Sequence, residues 1–133
     1  MKKVIKVVGG IIVDKDNRIL CTLRKKEKSL GNMWEFPGGK IEVNETDREA
    51  LEREIKEEMD LKIEVISFYE KVKKEYEEFI IYLKCYKCKI VDNGKYILKD
   101  HSAAIWLSKE NLDSLVWVST DYPIVRKLIN DGD

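Results

Sequence analysis

The sequence predicts an α/β fold in which a mixed β-sheet carries helices packed on its faces. Three observations lead there. Apolar segments with strand-like alternation flank one strongly capped helix, a second helix closes the chain, and the resulting order is β-β-β-α-β-β-β-α. One domain spanning residues 1–133 is expected, because the length suits one core and no repeat, low-complexity tract or linker divides it.

The elements follow in order. VIKVVGGIIVD and RILCTLRKK read as two strands, with Asp14 to Asn17 as the turn between them. Ser29 to Met33 reads as a loop. Trp34-Glu35-Phe36 gives a short extended piece that Pro37-Gly38-Gly39 is expected to stop, and Lys40 to Asn44 reads as a further loop. Thr46 then opens a helix. Thr46 and Glu49 have the spacing of a capping box, and Asp47 lies in the first turn, where the helix dipole favours a carboxylate. The helix is expected to reach about Met59. Ile63 to Lys73 and Glu78 to Val91 read as an antiparallel pair of longer strands, and Asn93-Gly94 as a turn. Ala103 to Leu107 is a short strand and Lys109 to Ser114 a helical turn. Asp121 to Asn130 is the last helix, with Pro123 in its first turn.

Composition excludes several classes of function. Hydrophobic residues at 44% and charged residues at 38% describe a soluble globular chain. No apolar run approaches the roughly 18 to 20 residues of a membrane span, and Met1 to Val8 lacks the pattern of a secretory signal. A cytoplasmic location and no membrane partner are the expectations. Lys plus Arg and Asp plus Glu both number 25, so nothing suggests a basic groove for polymeric nucleic acid. The charge is locally uneven, however. Acid gathers between Glu42 and Glu58, and base at Arg24 to Lys28 and Lys71 to Lys74. Cys85 and Cys88 have a C-x-x-C spacing that raises zinc, but positions three apart on a strand point to opposite faces, so buried thiols are the better reading.

The acidic helix is the informative segment. With Leu51 set at zero and about 100° per residue, Ile55 and Met59 complete an apolar stripe near +40° and +80°. Glu49, Glu52, Arg53 and Lys56 fall on the solvent side. Glu54, Glu57 and Glu58 fall at about −60°, −120° and −20°, beside the residues that face the core. Three carboxylates held together there are costly unless something neutralises them. No lysine has the right offset to do so, while Arg53 reaches Glu57 at i+4. A hard divalent cation, Mg²⁺ or Mn²⁺, suits such a cluster of oxygen ligands.

With its flanks, the run is Gly39, five residues, Glu45, seven residues, then Arg53-Glu54-Ile55-Lys56-Glu57-Glu58-Met59-Asp60-Leu61. This resembles the Nudix signature, G-x5-E-x7-R-E-U-x-E-E-x-G-U with U aliphatic. Every acidic position is present, and Asp60 stands where the signature has Gly. That Gly would close the helix in a left-handed conformation; Asp tolerates the region at a cost of about 1 kcal/mol. Met33 to Glu42 looks like the MutT-type branch of the family. Asp100-His101, Trp106, Leu115, Trp117, Asp121 and Pro123 are similar to the cytidine triphosphate pyrophosphohydrolases of that branch.

The resemblance implies the Nudix fold, an α/β/α sandwich, and magnesium-dependent hydrolysis of a nucleoside triphosphate to monophosphate and pyrophosphate. It implies metal ligands at Glu54, Glu57 and Glu58, with the Gly38 carbonyl alongside, and Glu45 and Arg53 as residues that orient them. Asp100 matches a further acidic ligand or base, and Arg24 a phosphate contact. Gly39, Lys40, Phe79, Trp117 and Asp121 are the other substrate-binding candidates, with Tyr82 and Tyr122 as further stacking surfaces. His101, the lone histidine, is given a structural or phosphate-side role. Asp121 falls where purine-reading relatives carry an amide; a carboxylate accepts hydrogen bonds only, which suits the exocyclic amine of cytosine. The expected substrate is therefore (d)CTP or a 5-substituted cytosine nucleotide. Two alternatives stand: 8-oxo-dGTP, and a non-catalytic module that senses a nucleotide. The expected partner is a small-molecule nucleotide, with monomer and homodimer both open.

Overall fold

A computed structural model describes residues 2–131, so the outermost positions of the expected 1–133 span lie outside the described residues. The strands are β1 (Lys3–Val13), β2 (Ile19–Arg24), β3 (Trp34–Glu35), β4 (Gly38–Lys40), β5 (Ile63–Glu75), β6 (Phe79–Ile90) and β7 (His101–Leu107). The helices are α1 (Asp47–Met59) and α2 (Tyr122–Asn130), with a turn of 3₁₀ helix at Lys109–Ser114. Among the described residues the seven strands form one sheet of order β3-β2-β1-β6-β5, with β4 on β1 and β7 on β2.

The long strand β1 organises the sheet. It pairs parallel with β6 from Lys3↔Phe79 to Val13↔Lys89. On its other side it pairs antiparallel with β4 at Val7↔Lys40 to Gly9↔Gly38, and with β2 at Val13↔Ile19. A parallel neighbour needs a crossover, and the segment between β1 and β6 carries α1 across one face of the sheet. On that face Leu51, Ile55 and Met59 bury themselves against Val8, Ile12 and Leu20. On the opposite face Ile124, Val125 and Leu128 of α2 pack with Ile11, Cys21 and Phe36. The layers are helix, mixed sheet, helix, as the element order predicts. Cys88 belongs to the first cluster and Cys85 to the second, so the C-x-x-C thiols lie on opposite faces. Burial pushes the Cys88 thiol up to about 12.

Helix α1 matches its sequence signals closely. The Thr46 hydroxyl accepts from Glu49 N–H at 3.1 Å, and the Glu49 carboxylate accepts from Thr46 N–H at 2.9 Å. The helix ends on Asp60 at φ 52°, the left-handed position that the signature reserves for Gly. Lys56 reaches Asp60 at 2.8 Å, an exposed pair that offsets little of the backbone cost. Asp60→Gly is therefore expected to raise Tm by a few degrees, about 0.5–1 kcal/mol, with turnover unchanged. Thermal melts beside a kinetic assay check this, and a lower Tm would show that the Lys56 pair outweighs the strain.

One expectation about the sheet needs correction. The extended piece does stop ahead of a bend at Pro37, but Gly38 and Gly39 are not part of a turn and Lys40 does not begin a loop: Gly38–Lys40 is the strand β4. Glycine is depleted in strands, so propensity hides it. Here the glycines are what allows the pairing. A Cβ on Gly38 would lie 1.9 Å from the Val8 carbonyl oxygen. Close approach to β1 thus accounts for Gly38 without any ion.

Candidate active site

The acidic helix and the loop before it converge on one guanidinium. Arg53 clamps Glu45 through Nε at 2.5 Å and Nη2 at 2.9 Å, the two-pronged geometry that Arg makes with a carboxylate. Its Nη1 donates to Glu54 and to Glu57, each at 2.9 Å, and Nη2 also reaches the Lys40 carbonyl at 3.2 Å. The Arg53 bond and the Glu42 N–H hold the Glu45 carboxyl at about 2, well below its ordinary value. The same carboxylates raise the Arg53 guanidinium further above its ordinary range.

Two of the angular assignments are corrected by this arrangement. Arg53 does not lie out in solvent: its side chain is 23% exposed, because a long side chain can bend along the helix toward the acids. Glu57, placed by its angle beside the core, has a side chain 54% exposed. Nor does the trio close on a point. Among the described residues no three His, Cys, Asp or Glu side chains are gathered so as to hold an ion. Arg53 stands among Glu45, Glu54 and Glu57 as their counter-charge.

Glu58 is different. It faces inward, and its Oε2 is buried with no hydrogen-bond partner. Burial first, then the Glu54 carboxyl, then the charges of Asp100 and Glu35 push Glu58 up to about 9. Glu58 thus lies in the field of three other acids, Glu54 on α1 itself, Asp100 before β7 and Glu35 on β3. Asp100 precedes β7 and meets Lys28 of the basic loop. Gly39 lies under Glu54, where a Cβ would come within 2.2 Å of the Glu54 Oε2. An oxygen-only donor set with one orphaned carboxylate oxygen fits a hard divalent cation, and the Gly39 cradle leaves room for Glu54 to serve it.

Asp121 occupies the N-cap of α2 but does not cap it. Its side chain turns inward, where Oδ2 accepts from Phe36 N–H at 2.9 Å and Oδ1 from the Thr120 hydroxyl at 3.1 Å. Burial, with a smaller contribution from Glu35, raises its carboxyl to about 7 against those two hydrogen bonds.

The stacking candidates separate. Trp117 is a correction: it is 5% exposed, its ring lies 4.8 Å from that of Phe36, and its indole N–H donates to the Leu112 carbonyl at 2.7 Å. It is a core residue with its polar atom satisfied. Phe79 packs on Tyr76 at 4.8 Å at the β5–β6 turn. Tyr82 lies below Lys73, and Tyr122 is exposed with its hydroxyl on Asp113. Lys40 is exposed, with its carbonyl on Arg53. Arg24, at the end of β2, donates to Ser29 O at 2.9 Å and to Glu35 at 3.1 Å.

Glu35 is the residue that sequence reasoning missed. The signal was available: Trp34 and Phe36 pack into the α2-side core, so alternation turns Glu35 to the other face, toward α1. Glu35 also lies 2.9 Å from Nε2 of His101, which is buried.

The sheet held between two helices, with the acidic loop–helix laid over its glycine-lined strand, defines a Nudix-type fold. A family model for the NUDIX domain matches residues 8–127. The chain belongs to that family and is a Nudix hydrolase, a class of enzyme that works with a divalent metal ion. It is 31% identical to the CTP pyrophosphohydrolase of Escherichia coli (strain K12) over 125 residues, covering 93% of this chain and 90% of the relative. It is also 31% identical to the 8-oxo-dGTP diphosphatase of the same strain over 128 residues, covering 96% and 98%. The solution structure of a MutT protein of the Nudix hydrolase family from methicillin-resistant Staphylococcus aureus 252 superposes with a TM-score of 0.79 at 45% identity, over 99% of this chain and 100% of the other. Among the described residues no helix is long and apolar enough to cross a membrane.

Proposed function

We propose that this protein uses Mg²⁺, with Mn²⁺ as a substitute, to hydrolyse (d)CTP or a 5-substituted cytosine nucleotide to the monophosphate and pyrophosphate. The orphaned Glu58 Oε2, buried beside Glu54 and in the field of Asp100 and Glu35, is the observation that carries the metal-dependent part. A divalent ion bound there would supply charge to neutralise phosphate oxygens and to make water a better nucleophile. Glu54, Glu57, Glu58 and Asp100 are the side chains that would hold it, with the Gly38 carbonyl. Glu45 fixes Arg53, and Arg53 fixes Glu54 and Glu57, so these two orient the acids. A carboxylate of this group accepts the proton of the attacking water. Arg24 and Lys40 contact the phosphate chain, Gly39 keeps the path to it open, and Phe79 contributes an apolar contact.

Base preference rests on Asp121. As a carboxylate it only accepts, which suits the amine of cytosine. With its carboxyl raised to about 7, the protonated form is also present at neutral pH. That form both donates and accepts, as an amide does, and this favours 8-oxo-dGTP as the second reading. The two E. coli relatives named above carry those two activities in their names.

A panel of canonical and modified triphosphates with Mg²⁺, with both products resolved by chromatography, tests the proposal. Diphosphate and orthophosphate as products would overturn the cleavage position. Binding without magnesium-dependent turnover would favour a nucleotide sensor. Asp121→Asn is expected to shift the ratio of kcat/KM for CTP over 8-oxo-dGTP about tenfold or more toward the purine. An unmoved ratio removes Asp121 as the base reader.

A further inference from the structure

Glu35 stands on the two-residue strand β3, and the backbone around it is fixed on both sides. Trp34 N–H donates to Val116 O and Val118 N–H to Trp34 O, both at 2.9 Å. Phe36 N–H donates to Asp121, and the Thr22 hydroxyl donates to the Glu35 carbonyl at 2.8 Å. The carboxylate is divided between two side chains. Oε1 accepts from Arg24 Nη1 at 3.1 Å, and Oε2 lies 2.9 Å from His101 Nε2. Arg24 and His101 are cross-strand partners on β2 and β7, at the irregularity that follows Leu23.

Arg24 is thus gripped twice. Nε is held by the Ser29 carbonyl and Nη1 by Glu35, while among the described residues nothing accepts from Nη2. A planar guanidinium held at two nitrogens cannot turn, so its remaining donors keep one direction. We propose that Glu35 is a positioning residue that presents Arg24 Nη2 to the triphosphate chain, with buried His101 as its anchor. This rests on the reading of Arg24 as a phosphate contact. Without Glu35 the guanidinium samples several orientations and meets phosphate in few of them, a loss that falls on substrate binding before it falls on the chemical step.

The test measures kcat and KM for CTP and for 8-oxo-dGTP, each with Mg²⁺, in Arg24→Ala, Glu35→Ala, Glu35→Gln and the Arg24→Ala/Glu35→Ala double variant. Arg24→Ala is expected to raise KM about tenfold or more for both nucleotides, since the contact is to phosphate and not to base. Glu35→Ala raises KM by a similar factor and changes kcat by less than about threefold. Glu35→Gln recovers part of the loss, because its amide oxygen still accepts from Nη1. The double variant matches Arg24→Ala within about twofold, the non-additivity expected of residues acting as one unit. A wild-type KM in Arg24→Ala overturns both the phosphate contact and the positioning role. An impaired Arg24→Ala combined with a multiplicative Glu35 effect, or with an effect on kcat alone, overturns the positioning role and leaves the phosphate contact standing. If Glu35→Ala does not fold, the near-isosteric Glu35→Gln replaces it in the cycle and must lose its KM effect in the Arg24→Ala background.

Discussion

Glu58→Gln is expected to lower kcat on a nucleoside triphosphate by about a thousandfold, near 4 kcal/mol of transition-state stabilisation, while the protein still folds. The substitution keeps shape and removes the charge that a cation needs. It replaces a buried carboxyl whose Oε2 has no hydrogen-bond partner and whose other bond is to the Glu54 carboxyl. In the absence of added metal the stability of the variant should therefore stay within about 1 kcal/mol of wild type. A second readout separates metal binding from catalysis. An ion that binds only the native state stabilises it by about 2.7 kcal/mol at a hundred times its Kd. Mg²⁺ should raise the Tm of the wild type and leave that of Glu58→Gln nearly unmoved. A variant that keeps wild-type turnover, or responds to Mg²⁺ as the wild type does, would remove Glu58 from the metal site.

How much of this site the sequence discloses depends on whether the interactions are local. Helix α1 is legible from start to finish because its cap, apolar stripe and left-handed end are all set within 15 residues. The inward carboxylate of Glu58 follows from the same periodicity. Glu57 and Arg53 escape the angular reading because it treats a side chain as a radius. The Arg53 guanidinium bends back to three acids, and Glu57 leaves the core side to meet it. Strand β4 is invisible to propensity because what favours it is the absence of Cβ atoms against β1, a long-range fact. Trp117 fails as a stacking surface for a similar reason: only the fold brings Phe36 and the Leu112 carbonyl to it. Glu35 could have been found by asking of β3 the question asked of α1, namely which face a charged residue shares with the core.

Asp121 provides the other large effect, and it is a dependence on pH. Its carboxyl rises from an unfolded value of about 3.9 to about 7 in the native protein, because ionising it means charging a group that is 6% exposed. Between those values the native state holds a proton that the unfolded chain has lost, so this group's contribution favours folding at low pH. The contribution is complete below about pH 4, falls as pH rises, and is gone above about pH 7. About three pH units at 1.36 kcal/mol each give about 4 kcal/mol across that window. Glu45 acts in the opposite sense and at lower pH, since its carboxyl is held at about 2 and its contribution disappears only under acid. Comparison with Asp121→Asn isolates the buried acid from such terms. The amide oxygen can still accept from Phe36 N–H, and the amide NH₂ can meet the Thr120 hydroxyl as a donor. The stability difference between variant and wild type should therefore move in favour of Asn by about 4 kcal/mol between pH 4 and pH 8. Denaturant melts of both proteins at several pH values measure it directly. A difference that does not change with pH would mean that Asp121 ionises in the folded protein as easily as it does in water.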